Sequence, residues 1–249
     1  MSETIDREGY RYIPGPFQYS AGVAALPGHA IERVRFANPI PLTEGFKRIE
    51  TFLNQRGLPL TAFCACELRS PAPFNDAGFI AFNRDYVGTL ERWGVVANDR
   101  NPVARSNVCP EIDPPATPSF HAFCLVTPSV AAAPSFVCAG SGEAREGAGP
   151  YREKTIRYND VTPDAMAEKA RFVLAAMEKR MAALGASWAS ATAVQAYTVH
   201  DIYPFLAPEI VRRGAARHGL TLQFCRPPVI GLEYEMDCRG VQTEYVLSE

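Results

Sequence analysis

Residues 60–68, LTAFCACEL, alternate like a strand, and residues 79–93, FIAFNRDYVGTLERW, follow with apolar side chains at helical spacing and a stop at Gly94. A helix-like run ending at Gly57 precedes them. The same order returns further on: a long helix pattern ending at Gly185, a strand-like run at 191–199 (ATAVQAYTV), and a helical pattern at 205–218 (FLAPEIVRRGAARH) closing at Gly219. The glycine stops are 37 residues apart in the first case (57 to 94) and 34 in the second (185 to 219). A unit that recurs at nearly constant length is the mark of a doubled architecture. The chain of 249 residues suits two units of roughly 100–130 residues each. The reading is therefore α+β: two tandem domains, residues 1–127 and 128–249, each a mixed sheet with two helices on one face, joined at Pro128–Pro134.

Within the first unit, residues 1–14 read as an arm, and Gly15-Pro16-Phe17-Gln18 as a turn leading to short strands at 21–25 and 30–36. Phe46, Ile49, Phe52 and Leu53 mark the apolar stripe of the first helix. Phe120–Val126 reads as an apolar strand carrying His121, after a proline-rich loop. In the second unit, a strand at 135–139 runs into Gly140-Ser141-Gly142 and a loop rich in glycine and charge. Thr162-Pro163-Asp164 is a helix start, with an N-cap residue, proline in the first turn and an early acid. The methionines at 166, 177 and 181 lie on that helix's apolar face and read as core filling.

Composition narrows the function. A formal net charge of −2 supplies no basic field for nucleic acid or an anionic membrane surface. No apolar run approaches the roughly 18 residues of a membrane span, and MSETIDREGY at the N-terminus lacks an apolar signal core. Seven cysteines, mostly in apolar strand patterns, read as reduced buried thiols of a cytoplasmic protein. Cys64 and Cys66 share a strand face, but no second close pair completes a metal site, so neither metal nor other cofactor is expected. The expected partners are small molecules and further copies of the chain.

Residues 232–238, LEYEMDC, alternate apolar and acidic side chains, so Glu233, Glu235 and Asp237 share one strand face. Periodicity leaves two readings open: a solvated outer face, or a carboxylate lining a cleft. Other nucleophile arrangements find no support. Gly140-Ser141-Gly142 lacks the Gly-x-Ser-x-Gly elbow, and adjacent His200 and Asp201 would point to opposite faces of a strand.

Several of these stretches resemble the Rid (reactive intermediate deaminase, YjgF) superfamily, whose domains have a chorismate-mutase-like fold. The likeness is carried by Gly15-Pro16-Phe17-Gln18, by Phe79–Tyr86 with Asn83, by Ala104-Arg105-Ser106, by Ala139-Gly140-Ser141-Gly142, and by Leu232–Glu235. It implies that Arg105 grips a substrate carboxylate and that Glu235 orients the hydrolytic water. It also implies a substrate pocket involving Asn83, Phe17, Tyr19, Gly140, Ser141, Arg226 and His121, with no metal. Phe17 replaces the usual tyrosine, Asn107 stands where the family often has cysteine, and His121 falls where the first unit would carry its closing acid. The first unit thus keeps the arginine and the second the acid, which implies one composite site between them.

The doubled length and the stretch Asn101–Pro110 are similar to 2-aminomuconate deaminases of nitroaromatic breakdown. That likeness implies hydrolysis of a carboxylated 2-amino-enoate to a 2-keto or 2-hydroxy acid and ammonia, in a homo-oligomer expected to be a trimer. For a dicarboxylate, a second cation is needed, and Arg226, Arg84 and Arg239 are candidates. A chorismatase-like hydrolase or lyase and a non-catalytic ligand-binding protein remain as alternatives.

Overall fold

The computed structural model describes residues 4–130, 133–147 and 149–248. The first three residues of the N-terminal arm and residues 131–132 of the Pro128–Pro134 linker lie outside that range. The elements follow in the order β1 (Ile5–Asp6), β2 (Tyr10–Ile13), β3 (Gly22–Ala25), β4 (His29–Pro41), α1 (Leu42–Gln55), β5 (Phe63–Arg69), α2 (Asp76–Arg92), β6 (Ala104–Pro110) and β7 (Ser119–Pro128). The second half contributes β8 (Phe136–Gly142), α3 (Tyr151–Lys154), α4 (Pro163–Leu184), β9 (Ala193–Tyr197), α5 (Tyr203–Phe205), β10 (Thr221–Gln223), β11 (Cys225–Arg226), β12 (Glu235–Gly240) and β13 (Thr243–Leu247).

These strands form two mixed sheets, ordered β11-β6-β5-β7-β4-β13 and β1-β2-β3-β8-β12-β9-β10. Each sheet borrows from the other half of the chain. The N-terminal strands join the second sheet where β3 pairs β8, with Val23 opposite Val137. The C-terminal β13 runs parallel to β4, with Tyr245 opposite Val34. β11 pairs the end of β6. The division of strands between sheets therefore does not follow the division of the sequence at residue 127. The expected N-terminal arm is also built into the structure. Tyr10 and Tyr12 are buried while Arg11 between them is only half-buried, which is the alternation of a strand lying on a core.

Helices cover one face of each sheet. Phe46, Ile49 and Leu53 of α1 and Phe79, Phe82, Tyr86 and Leu90 of α2 share one core with Phe63, Leu68, Phe120 and Phe123 of the first sheet. Met166, Val173, Met177 and Met181 of α4 share a second core with Phe136, Cys138, Tyr234 and Met236. α4 has clear ends. Asp160 accepts the Thr162 backbone N–H, Pro163 opens the first turn, and Gly185 closes the helix at φ 76°, the left-handed position that glycine tolerates. The helix expected at 205–218 is shorter than its pattern suggests. After α5 the chain makes one wide turn at Leu206–Val211 and then leaves helical geometry, with Gly214 at φ 89°.

The other faces of the two sheets meet over a polar layer. Arg33 of β4 clamps Glu67 of β5 with Nε–Oε1 at 2.6 Å and Nη2–Oε2 at 3.0 Å, and Arg239 of β12 reaches the same carboxylate at 3.9 Å. Burial works against charge on Glu67, but the Arg33 guanidinium outweighs it and holds the group well below the usual carboxylate range. Asp237 of β12 accepts hydrogen bonds from Ser106 of β6 and from Tyr197 and Gln195 of β9. The acidic face of β12 is thus not solvated: Glu235 and Asp237 are both 4% exposed. The solvated reading fails because the layer covering the alternating strand is another sheet rather than water.

Candidate active site

Where β6, β8 and the start of β12 come together, a cavity of about 460 Å³ opens between the sheets, within the range of small-molecule sites. Arg105, Tyr19, Gly140, Ser141 and Glu235 all line it, so side chains from both halves of the sequence share one space.

Arg105 lies in β6 and is 3% exposed. Its guanidinium is surrounded by aromatic rings: Tyr86 at 4.9 Å, Tyr19 and Phe82 at 5.5 Å, and Phe79 at 6.0 Å from the ring centroids. Ring faces attract a cation without spending its hydrogen-bond donors. Nη1 is accordingly buried with no hydrogen-bond partner. A buried, unspent donor on a fixed cation is costly unless an anion completes it.

Glu235 is the first residue of β12, pairing Gly142 on one side and Tyr197 on the other. A Cβ at Gly140 would overlap Oε1 of Glu235, so glycine at that position makes room for the carboxyl. Burial pushes the Glu235 carboxyl well above its ordinary value, and the carboxylates of Asp237 and Glu143 push the same way, against Arg105 and Arg180. The entry to β12 is held from behind. Glu143 accepts the backbone N–H groups of Glu233 (2.7 Å) and Tyr234 (3.1 Å), and Lys169 of α4 donates to Glu143 at 3.0 Å. Both side chains of that ion pair are wholly buried.

Four residues expected at the site lie off the cavity wall. Arg226 is bound to Glu111 at 2.8 Å and stands 3.5 Å from Glu233 on the outer end of β11. His121 is part of β7; burial, helped by Arg69, drives its pKa down to about 3, so it is a neutral imidazole. Asn83 is buried on α2. Phe17 is 41% exposed in the turn, where its carbonyl accepts from Asn101. Of the suggested second cations, Arg239 is committed to Glu244 and Glu67, and Arg84 is exposed on α2.

The cavity wall also holds residues that the sequence motifs do not assign. Asn107, two residues beyond Arg105 on the same strand face, accepts from Ser70 at 2.9 Å, and its Nδ2 is buried without a partner. Tyr151 and Lys154 enter from α3, and Arg180 from α4. The sequence does carry a signal for Arg180. It falls on the stripe of Val173, Met177 and Leu184, where an arginine among apolar residues marks a buried cation. Among the described residues no cluster of three metal-ligating side chains occurs, and no helix is long and apolar enough to cross a membrane.

A deeply buried arginine with an unpartnered donor thus shares one cavity with the Glu235 carboxyl, an arrangement able to hold an anion and to exchange a proton. Comparison with known proteins gives the chain a family. The family model described as 2-aminomuconate deaminase CnbZ matches residues 2–245, and the chain belongs to that family. It is 54% identical over 241 residues to the 2-amino-5-chloromuconate deaminase of Comamonas testosteroni, an alignment covering 96% of each chain. Among solved structures, a chorismatase is similar at TM-score 0.49 and 9% identity, covering 96% of this chain and 79% of that one. A cyanuric acid hydrolase is similar at TM-score 0.41 and 13% identity, covering 89% and 70%.

Proposed function

We propose that this protein hydrolyses a 2-aminomuconate-type enamine, releasing ammonia and the corresponding 2-keto acid or its enol. The observation that carries the reading is the presence in one cavity of Arg105, whose buried Nη1 lacks a partner, and Glu235, whose carboxyl burial pushes toward the protonated form. Membership of the deaminase family supports it from outside the geometry.

The chemistry follows from those two groups. Arg105 takes the carboxylate next to the C–N carbon; its planar fork fixes both the position and the plane of the conjugated acid. Protonated Glu235 gives its proton to the carbon end of the enamine, which turns C–N into C=N⁺. The resulting carboxylate then accepts a proton from water as its oxygen adds to that carbon. Glu235 passes that proton to nitrogen, and the carbinolamine collapses: its hydroxyl returns a proton to Glu235 as C=O forms, C–N breaks and ammonia leaves. One water enters and one ammonia leaves, so no redox partner is required. Tyr19, whose ring lies 5.5 Å from the Arg105 guanidinium and whose own pKa is raised by burial, is a neutral hydroxyl available to the reacting nitrogen or oxygen.

The helix–strand–helix order α1-β5-α2 and its shorter counterpart α4-β9-α5 support reading each half as a Rid-like unit. A closed homotrimer is part of the same proposal, resting on the resemblance and on the prevalence of closed symmetry. Ammonia release from 2-aminomuconate and 2-amino-5-chloromuconate, followed with purified protein, tests the activity. Pyruvate release from chorismate without ammonia would overturn it. Sedimentation equilibrium tests the trimer.

A further inference from the structure

A dicarboxylate needs two anchors, and Arg105 is one. Arg180 is 8% exposed and enters the cavity from α4, donating through Nη1 to the carbonyl oxygens of Ala139 (3.0 Å) and Gly140 (3.4 Å). Those contacts fix the guanidinium beside Gly140, the residue that faces the Glu235 carboxyl. They leave most of its five donors unspent. Its carboxylate neighbour is Glu146, at 3.7 Å from Nη2, too far for a hydrogen bond and with a side chain 85% exposed. A buried cation is therefore held against a carboxylate that water can readily take back.

The charge of the wall points the same way. Arg105, Arg145, Lys154 and Arg180 line the cavity against Glu146 and Glu235. Four cationic side chains against two carboxyls leave a surplus of positive charge, and one substrate carboxylate does not compensate it. Arg105, Arg180, Glu235 and Tyr19 line the same cavity, and both guanidinium groups act electrostatically on Glu235 and Tyr19.

We propose that Arg180 receives the remote carboxylate of the substrate, displacing Glu146, and so sets the enzyme's preference for dicarboxylates. The inference takes the identity of the reacting group from the deaminase reading, but the binding it describes is measurable without turnover. Hexa-2,4-dienedioate has both carboxylates and no amino group; its monomethyl ester has one carboxylate. Calorimetric titration of the wild-type protein should show the diacid binding about 30-fold or more tightly than the half-ester. Arg180→Gln should remove most of that difference by weakening the diacid alone, and Arg180→Lys should keep part of it. Glu146→Gln, an exposed change that leaves the fold intact, should tighten the diacid a few-fold and leave the half-ester unchanged. Equal binding of the two ligands by the wild type, or their equal loss in folded Arg180→Gln with no gain in Glu146→Gln, would overturn the proposal. Diacid preference without any ammonia release from 2-aminomuconate would instead strike at the deaminase reading and leave Arg180's role standing.

Discussion

Ser106 Oγ donates a 2.5 Å hydrogen bond to Asp237 Oδ2, and through it the strand of Arg105 is joined to the strand of Glu235. The two residues belong to different sheets and lie 131 positions apart in sequence. Each stands beside a site residue: Ser106 next to Arg105, and Asp237 two positions after Glu235. Neither Ser106 nor Asp237 lines the cavity itself.

Replacing Ser106 by alanine leaves Asp237 with Tyr197 at 2.8 Å and Gln195 at 3.0 Å, so the buried carboxyl stays partly satisfied. The expected loss of stability is about 1–2 kcal/mol. kcat/KM should fall further than the fraction unfolded accounts for, because the two strands are free to drift apart. Urea denaturation and steady-state ammonia release on the same sample separate the two effects. Unchanged kinetics in a destabilised Ser106→Ala would show that the bond serves the fold alone.

Arg105→Lys should be nearly as damaging as Arg105→Ala. Lysine keeps the charge but loses the planar fork and the fit among four rings. Losing a desolvated, charge-assisted contact should cost about 2–4 kcal/mol in transition-state binding, or roughly 30- to 1,000-fold in kcat/KM. Near-wild-type kcat/KM in Arg105→Lys would mean that charge alone is recognised.

Burial raises the Glu235 carboxyl in the folded protein, so the group keeps its proton at a pH where the unfolded chain, near 4.5, has released it. Its stabilising contribution is therefore complete only below the unfolded value and is lost as pH rises through the folded pKa. Glu235→Gln cannot ionise and escapes that loss. The melting temperature of the variant relative to wild type should rise as pH increases above about 4.5, while kcat collapses and diacid binding persists. Parallel melting curves across that range would return Glu235 to ordinary ionisation and remove its role as the proton donor.

How far the sequence reaches is clearest in β12 and α4. Alternation in residues 232–238 assigns Glu235 and Asp237 to one face, because strand geometry is local. What covers that face includes β6, whose Ser106 lies 131 residues from Asp237, and no local pattern carries that information. The helix stripes of α1 and α2 are legible for the same local reason, as is the start of α4 at Thr162-Pro163. Exchange of β1–β3 and β13 between the sheets is not, since strand pairing depends on which edges remain open once the helices have docked. Motifs single out Arg105, Tyr19, Gly140, Ser141 and Glu235, and the structure collects them in one cavity. Motifs single out Arg226 and His121 too, but an ion pair with Glu111 and a place within β7 keep them off the cavity wall.

Lys169 and Glu143 form an ion pair with no exposed surface, and through it Glu143 is fixed where it holds the two backbone N–H groups that precede Glu235. Removing one partner leaves a bare charge in the interior, so Lys169→Met should cost about 3–5 kcal/mol. Glu143→Gln keeps an oxygen for one of the two N–H groups and discards the charge. The double variant should therefore be less damaged than the sum of the single ones, with a coupling energy above about 1 kcal/mol. Activity should not recover in parallel, because one backbone N–H at the entry to β12 stays unheld and Glu235 loses its fixed position against Gly140. Urea denaturation of the four proteins gives the coupling, and kcat measured well below each melting temperature gives the positioning effect. Strict additivity in stability would mean that the two charges are solvated separately, and full activity in the double variant would mean that Glu235 is positioned by its strand pairing alone.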